Sequence, residues 1–391
     1  MRILMINSVC GIRSTGRICT DLADALEKQG HEVKIAYGRE EIPDKYRKYG
    51  VRIGSNFDVT LHGIKSRLFD KSGMGSKSAT KKFIEWVRKF DPDAIHLHNI
   101  HGYYINIEVL FSYLKSFKKQ VIWTLHDCWA FTGHCTYFSY IECNKWKTGC
   151  FECPQKREYP SSLVCDFSSE NYRAKRELFS GIEKLEIVTP SKWLAFLVKD
   201  SFLKCYNTTV INNGVDGSVF TPKNGNVRKH FNLENKKVIL GVAAVWNKRK
   251  GLDTFIKLSR RLDDAYRIIL VGLSSKQIKK LPPNIIGIER TNNSNELAEL
   301  YSIADIFVNP TLEDNYPTTN IEAIACGTPV ITYKTGGSPE SARGYGIVVE
   351  KNDVESLLDS IERNIFYRDP DFYVDKEETV KRYLKLYNGE C

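Results

Sequence analysis

The stretch 309–340, NPTLEDNYPTTNIEAIACGTPVITYKTGGSPE, limits the fold more than any other part of the chain. The apolar run before it, Ile306-Phe307-Val308, reads as a buried strand. Glu313-Asp314-Asn315 and Tyr316-Pro317 follow, and proline suits the first position of a helix because its missing N–H has no partner there. Ile321, Ile324 and Ala325 then mark one buried helical face. Gly327 stops the helix, and Pro329-Val330-Ile331-Thr332 opens another strand. A loop at the carboxyl end of a strand therefore feeds a helix N-terminus, where unpaired N–H groups and the helix dipole attract anions. Asp314 and Glu322 flank this turn, eight positions apart. Carboxylates beside an anion site are suited to accepting hydrogen bonds from sugar hydroxyls.

Asp314-x7-Glu322, followed by AIACGTPVI and TGGSPE, closely resembles the signature of the family 4 retaining glycosyltransferases of the GT-B type. The Glu-Asp-Asn-x-Pro form looks like the colanic-acid and exopolysaccharide subgroup. The resemblance covers essentially the whole chain and is strongest over 240–350. It implies an α/β chain of two doubly wound Rossmann-like domains facing across a cleft, with the nucleotide sugar on the second and the acceptor on the first. It implies Glu322 at the ribose hydroxyls, and Asp314 with the backbone N–H groups near Asn315 and Tyr316 at the donor sugar. The family has glutamate at the first acidic position. Here that position is Asp314 and Glu313 lies one residue earlier, so both remain candidates. No cofactor is implied for catalysis, and the leaving phosphate itself takes the acceptor proton in a front-face reaction.

The 391 residues suffice for two domains, each with its own core. Hydrophobic content of 42% and charged content of 27% are those of a water-soluble globular chain. No run of about 18 apolar residues predicts a transmembrane helix. The start, MRILMINSVCGIRSTG, reads as a strand and a glycine loop rather than a signal peptide, which predicts a cytoplasmic protein. Eleven cysteines there argue for metal or buried thiols rather than disulfides. A net charge of +10 suits nucleic acid, an anionic membrane or an anionic substrate. With no nucleic-acid module in sight, a diphosphate donor and peripheral contact with the inner face of the cell membrane fit better.

Residues 2–6, 20–28 and 33–37 read as strand, helix and strand, a unit that builds parallel sheets. The loop 7–17 holds Gly11 and Gly16. Thr15-Gly16-Arg17 resembles the family's glycine loop near the donor phosphates, although the common double glycine is missing and an ordinary tight turn explains the pattern equally. Residues 39–80 read as a mobile loop near the acceptor. Phe83, Trp86, Val87 and Phe90 form a helical stripe among basic residues: a membrane-surface helix, or a helix packed on the sheet, which the strand 94–98 directly after it favours. His96, His98 and His101 cluster after that strand, with no acidic or cysteine neighbour to favour a metal.

The strand 121–125 runs into Thr124-Leu125-His126-Asp127, which matches a family element that places His126 beside the donor sugar. Asp127 either orients His126 or belongs to the acceptor site. An insert, 128–153, then carries Cys135, Cys143, Cys150 and Cys153 as C-x7-C-x6-C-x2-C. Its last pair has zinc-knuckle spacing, which predicts a structural zinc, with Cys128 and His134 as alternative ligands and free or disulfide-paired thiols as the competing reading.

Ser191, after the strand 185–189, opens the second domain as a helix cap. The predicted divisions are 1–189, 190–370 and a helix within 371–391 that returns to the first domain. Asn213-Gly214 reads as a left-handed turn. After the strand 238–243, Lys248, Arg249 and Lys250 precede Gly251 and a helix. Lys250-Gly251 matches the family's phosphate-binding pair, and Lys248 or Arg249 supplies the second charge. In the family that the chain resembles the nucleotide base lies beside the strand 284–288, which implies Arg290 as a candidate near it. The sequence thus predicts a retaining transfer from a nucleotide sugar to a glycan or lipid-linked glycan in bacterial surface polysaccharide biosynthesis. A non-catalytic scaffold and a nucleotide-sugar epimerase are the alternatives.

Overall fold

The computed structural model describes residues 1–225, 227–369, 372 and 375–390. The chain divides into two compact units, Met1–Ile211 joined by the chain from Val380 onward, and Asn212–Thr379. The division falls 22 residues later than the predicted 189 because one more strand pairs into the first sheet. Of the predicted returning segment 371–391, residues 371, 373, 374 and 391 lie outside the described ones, as do 226 and 370.

The first unit holds β1 (Arg2–Ile6), β2 (Glu32–Tyr37), β3 (Gly50–Arg52), β4 (Ala94–Leu97), β5 (Gln120–Thr124), β6 (Leu185–Thr189) and β7 (Asn207–Val210). They form one parallel sheet in the order β3-β2-β1-β4-β5-β6-β7. Alternate side chains of β1 serve opposite faces. Ile3 and Met5 pack with Leu22 and Leu26 of the Arg13–Lys28 helix and with Leu386. Leu4 and Ile6 pack in a second cluster with Phe83, Val87 and Phe111. Both faces are covered, as an all-parallel sheet requires. The stripe at 83–90 is accordingly packed, with Phe83 and Val87 buried in the Lys77–Phe90 helix.

Residues 39–80 are largely ordered rather than a loop. They contain a 3₁₀ turn, Asp44–Tyr49, then β3, then the Asn56–Phe69 helix, which starts with a reciprocal cap between Ser55 and Asp58.

The second unit holds β8 (Lys237–Val242), β9 (Tyr266–Val271), β10 (Ile285–Ile288), β11 (Ile306–Asn309), β12 (Val330–Tyr333) and β13 (Gly346–Val349). Its parallel order is β10-β9-β8-β11-β12-β13. Strand order reverses between β8 and β11, and ligands of such sheets bind outside the carboxyl ends at that point. The predicted left-handed turn at Asn213-Gly214 is not found. Gly214 is instead where the returning backbone crosses: a Cβ there would come 2.5 Å from Lys376 Cα.

Candidate active site

The carboxyl ends of β8 and β11 bring the charged motifs of the second unit together. After β8, Lys248–Lys250 forms one 3₁₀ turn, and the Asn247 side chain accepts from the Lys250 N–H at 3.0 Å. Lys250 Nζ pairs with Asp314 Oδ2 at 2.5 Å, and the two side chains are only 24% and 15% exposed. Arg249 donates to the Glu313 carbonyl at 2.9 Å, and its own carbonyl accepts from the Leu312 N–H at 2.8 Å. Lys248 is exposed. The cation and carboxylate expected at opposite ends of a donor therefore hold each other.

Two glycines make the close approach feasible. Gly251 has φ +79°, and a Cβ there would lie 2.3 Å from the Pro310 carbonyl oxygen. Gly336 has φ +54°, and a Cβ there would lie 1.8 Å from the Asp314 carbonyl oxygen, which also accepts from the Gly337 N–H at 3.3 Å. Only glycine takes such positions without strain.

The Thr318–Ala325 helix starts one residue later than predicted, with Pro317 as its N-cap. Asn315 and Tyr316 are buried ahead of it, and burial raises the Tyr316 phenol pKa. Glu322 is 6% exposed, and its Oε2 accepts from the Tyr301 hydroxyl at 3.0 Å. The helix is anchored by Asn320, which accepts from Asn309 at 2.7 Å and donates to Ser341 Oγ at 2.9 Å. Arg290 is exposed two residues beyond β10.

The first unit gathers histidines at the ends of β4 and β5. His126 Nε2 and His98 Nδ1 share a hydrogen bond at 3.0 Å, their rings stacked 5.3 Å apart. Burial holds the His126 pKa down to about 4, with Asp127 pulling the other way. Asp127 does not hydrogen-bond His126; it accepts from His101 Nε2 at 2.8 Å and from the Trp129 N–H at 2.9 Å. Burial opposes its ionisation, yet His101 keeps the carboxyl below its usual value. His96 is occupied elsewhere: its two nitrogens meet the Tyr387 hydroxyl at 2.5 Å and Thr124 Oγ1 at 2.8 Å, and Thr124 also meets the Tyr383 hydroxyl. Gly16, expected in the phosphate loop, lies inside the Arg13–Lys28 helix. Its missing Cβ makes room for Val9 and for the Gly11 N–H, which donates to the Gly16 carbonyl at 3.1 Å.

Comparison with known proteins places the chain in a family. Residues 15–157 match the family model described as Glycosyltransferase Family 4, and residues 223–373 match that of Glycosyl transferases group 1. The chain belongs to the family 4 glycosyltransferases. WcaC of Escherichia coli (strain K12), named for glycosyl transfer in colanic acid biosynthesis, is 23% identical over 374 residues, 92% of this chain and 89% of that one. Sucrose-phosphate synthase from Thermosynechococcus elongatus superposes with a TM-score of 0.70 at 16% identity, over 99% of this chain and 98% of that one. HepE from Anabaena, solved with UDP and glucose, gives 0.66 at 14% identity over the full length of both. The fold is GT-B, and this family 4 glycosyltransferase is a hexosyltransferase related to polysaccharide-building enzymes.

Within the insert of this glycosyltransferase, Cys135, Cys143, Cys150 and Cys153 line a single cavity of about 20 Å³ together with His134 and Trp146. Among the described residues no three His, Cys, Asp or Glu stand in the close grouping of a formed metal site. His134, the alternative ligand, pairs with Asp70 at 2.5 Å. Lys175, also buried, donates to the carbonyls of Trp129 and Thr132 at 2.8 and 3.0 Å and braces the insert. Tyr301, Asn320, Asp70 and Lys175 carry no local sequence signal, because each meets partners 11 to 101 positions away.

Proposed function

We propose that the chain transfers a hexose from a nucleotide sugar to a glycan or lipid-linked glycan in surface polysaccharide synthesis, with retention of anomeric configuration. The observation that carries this reading is the Lys250–Asp314 pair where β8 and β11 end, with Glu322 buried just beyond. Glu322, oriented by Tyr301, takes the ribose hydroxyls. Lys250 and the N-terminal end of the Thr318–Ala325 helix take the diphosphate, with Arg249 or Lys248 as the second cation, and Arg290 lies toward the base. Asp314 and the N–H groups of Asn315 and Tyr316 take the sugar; Glu313 is the alternative carboxylate. Gly16 stands near the phosphates by family analogy alone.

An incoming diphosphate competes with Asp314 for Lys250, so donor binding frees the carboxylate to accept from sugar hydroxyls. His126, neutral at pH 7, donates to or accepts from another hydroxyl of that sugar without adding charge. The bond from the anomeric carbon to the diphosphate oxygen breaks, and the acceptor oxygen bonds to that carbon on the same face. The acceptor proton passes to the leaving phosphate. Charge developing on the diphosphate is met by cations and dipoles already in place.

Incubating the chain with a panel of nucleotide hexoses tests this, reading nucleoside diphosphate release and the product's anomeric proton by NMR. Slow donor hydrolysis without acceptor, and transfer with retention when an acceptor is added, are expected. Interconversion of sugars without release would make the chain an epimerase; no turnover and no thermal stabilisation by any nucleoside diphosphate would overturn the reading.

A structural zinc in the insert belongs to the same proposal and would act on folding, not on transfer. Convergence of four thiols on one cavity supports it. Elemental analysis near one zinc per chain is expected; less than about 0.2, far below the occupancy of a folded structural site, overturns it.

A further inference from the structure

The Asn56–Phe69 helix is built inside out. Its inward face carries His62, Gly63 and Ser66, with His62 and Ser66 at most 1% exposed. Its outward face carries Phe57, Leu61, Ile64 and Leu68, exposed by 74%, 41%, 47% and 39%. At about 100° per residue these four fall within an arc of about 60°, one continuous stripe. Lys65 and Arg67 fall about 80° to either side of its first residue. The acidic residue of the helix, Asp58, is committed to the cap: it accepts from the Ser55 N–H at 2.8 Å and hydroxyl at 2.7 Å.

The stripe continues past the helix. The Leu163 N–H donates to the Arg67 carbonyl at 2.7 Å and the Cys165 N–H to the Leu68 carbonyl at 3.2 Å. This pins Leu163 and Val164, 59% and 63% exposed, against the helix end. Phe69 is exposed there as well, and Lys71 lies 4.7 Å from the Phe167 ring centre. A contiguous exposed apolar surface on a folded chain marks an interaction site.

We propose that this face seats the chain on an anionic lipid bilayer, with the helix lying in the plane of the interface. An apolar stripe flanked on both sides by cations matches acyl chains below and acidic headgroups around. A second copy fits less well, because pairing two such stripes would bring Lys65 and Arg67 against cations of the other chain. The chain's net charge of +10 has the matching sign. This deepens the reading above, since a lipid-linked acceptor is met at a bilayer, but its test does not pass through donor turnover.

Flotation of the full chain with phosphatidylglycerol–phosphatidylcholine vesicles, against pure phosphatidylcholine, decides. Binding to the anionic vesicles, weakened by salt, is expected. Leu61→Glu with Ile64→Glu should lower partitioning by roughly tenfold or more while leaving the thermal midpoint and soluble-donor hydrolysis unchanged. Lys65→Glu with Arg67→Glu should lower binding to anionic vesicles and flatten the salt dependence. Absence of wild-type binding, or unchanged binding by the Leu61/Ile64 variant, would overturn the proposal. So would a concentration-dependent dimer that the same variant abolishes. Vesicle binding without any donor turnover would instead count against the transferase reading alone.

Discussion

The carboxyl edges of the two sheets solve opposite problems. In the second unit the edge is ionic: Lys250 with Asp314, Arg249 with the Glu313 carbonyl, Glu322 under Tyr301. In the first unit the edge is dominated by imidazoles, and burial keeps His96, His98 and His126 uncharged at neutral pH. One edge is suited to a ligand that brings charge and the other to a ligand that brings hydroxyl groups. A diphosphate on cations gains Coulomb energy in a partly dry site, whereas a neutral ring selects geometry at little electrostatic cost.

The sharpest way to break this contrast is Lys250→Ala. Donor hydrolysis should fall by about 10² to 10³ in kcat/KM, the usual cost of removing a group aimed at developing charge. Initial-rate measurements check it; a loss under about fivefold would mean the diphosphate lies elsewhere.

Acid should expose the other edge. His62 and His96 are 1% and 0% exposed, with pKa values lowered to about 4 and about 3, chiefly by burial. In the unfolded chain each titrates near 6.5. Between these values the unfolded chain binds protons that the folded chain does not. Stability is therefore full above pH 6.5 and is lost as pH falls through about 4 for His62 and about 3 for His96, by roughly 3 to 5 kcal/mol per fully expressed shift. Denaturant melts across that range measure it, and a flat profile would show that these rings are not held neutral.

His126→Ala should lower turnover by about tenfold to a hundredfold through a lost sugar contact, with no change in affinity for free nucleoside diphosphate. Calorimetry alongside kinetics separates the two. The smallest effect belongs to Arg290→Ala, which should change donor KM by less than about threefold because the side chain is exposed.

Much of the frame was legible. Apolar runs such as 185–189 and 267–271 carry both sheets because strands of a parallel sheet are buried on both faces. Gly251 and the Thr335-Gly336-Gly337 turn were readable as motif, though not why: each admits the backbone after β11. Pairings across long separations escaped. Asp127 has two histidines within reach of inference, and only the fold selects His101 over His126. Residues 39–80 hid a helix because its buried positions are His62, Gly63 and Ser66, so the usual pattern is reversed. The insert's thiols were located but not their spacing in three dimensions.

The hydroxyls of Tyr383 and Tyr387 reach Thr124 of β5 and His96 of β4, which lie 259 and 291 positions earlier in the chain. A first unit produced without those two tyrosines would carry a dry imidazole with one nitrogen unanswered.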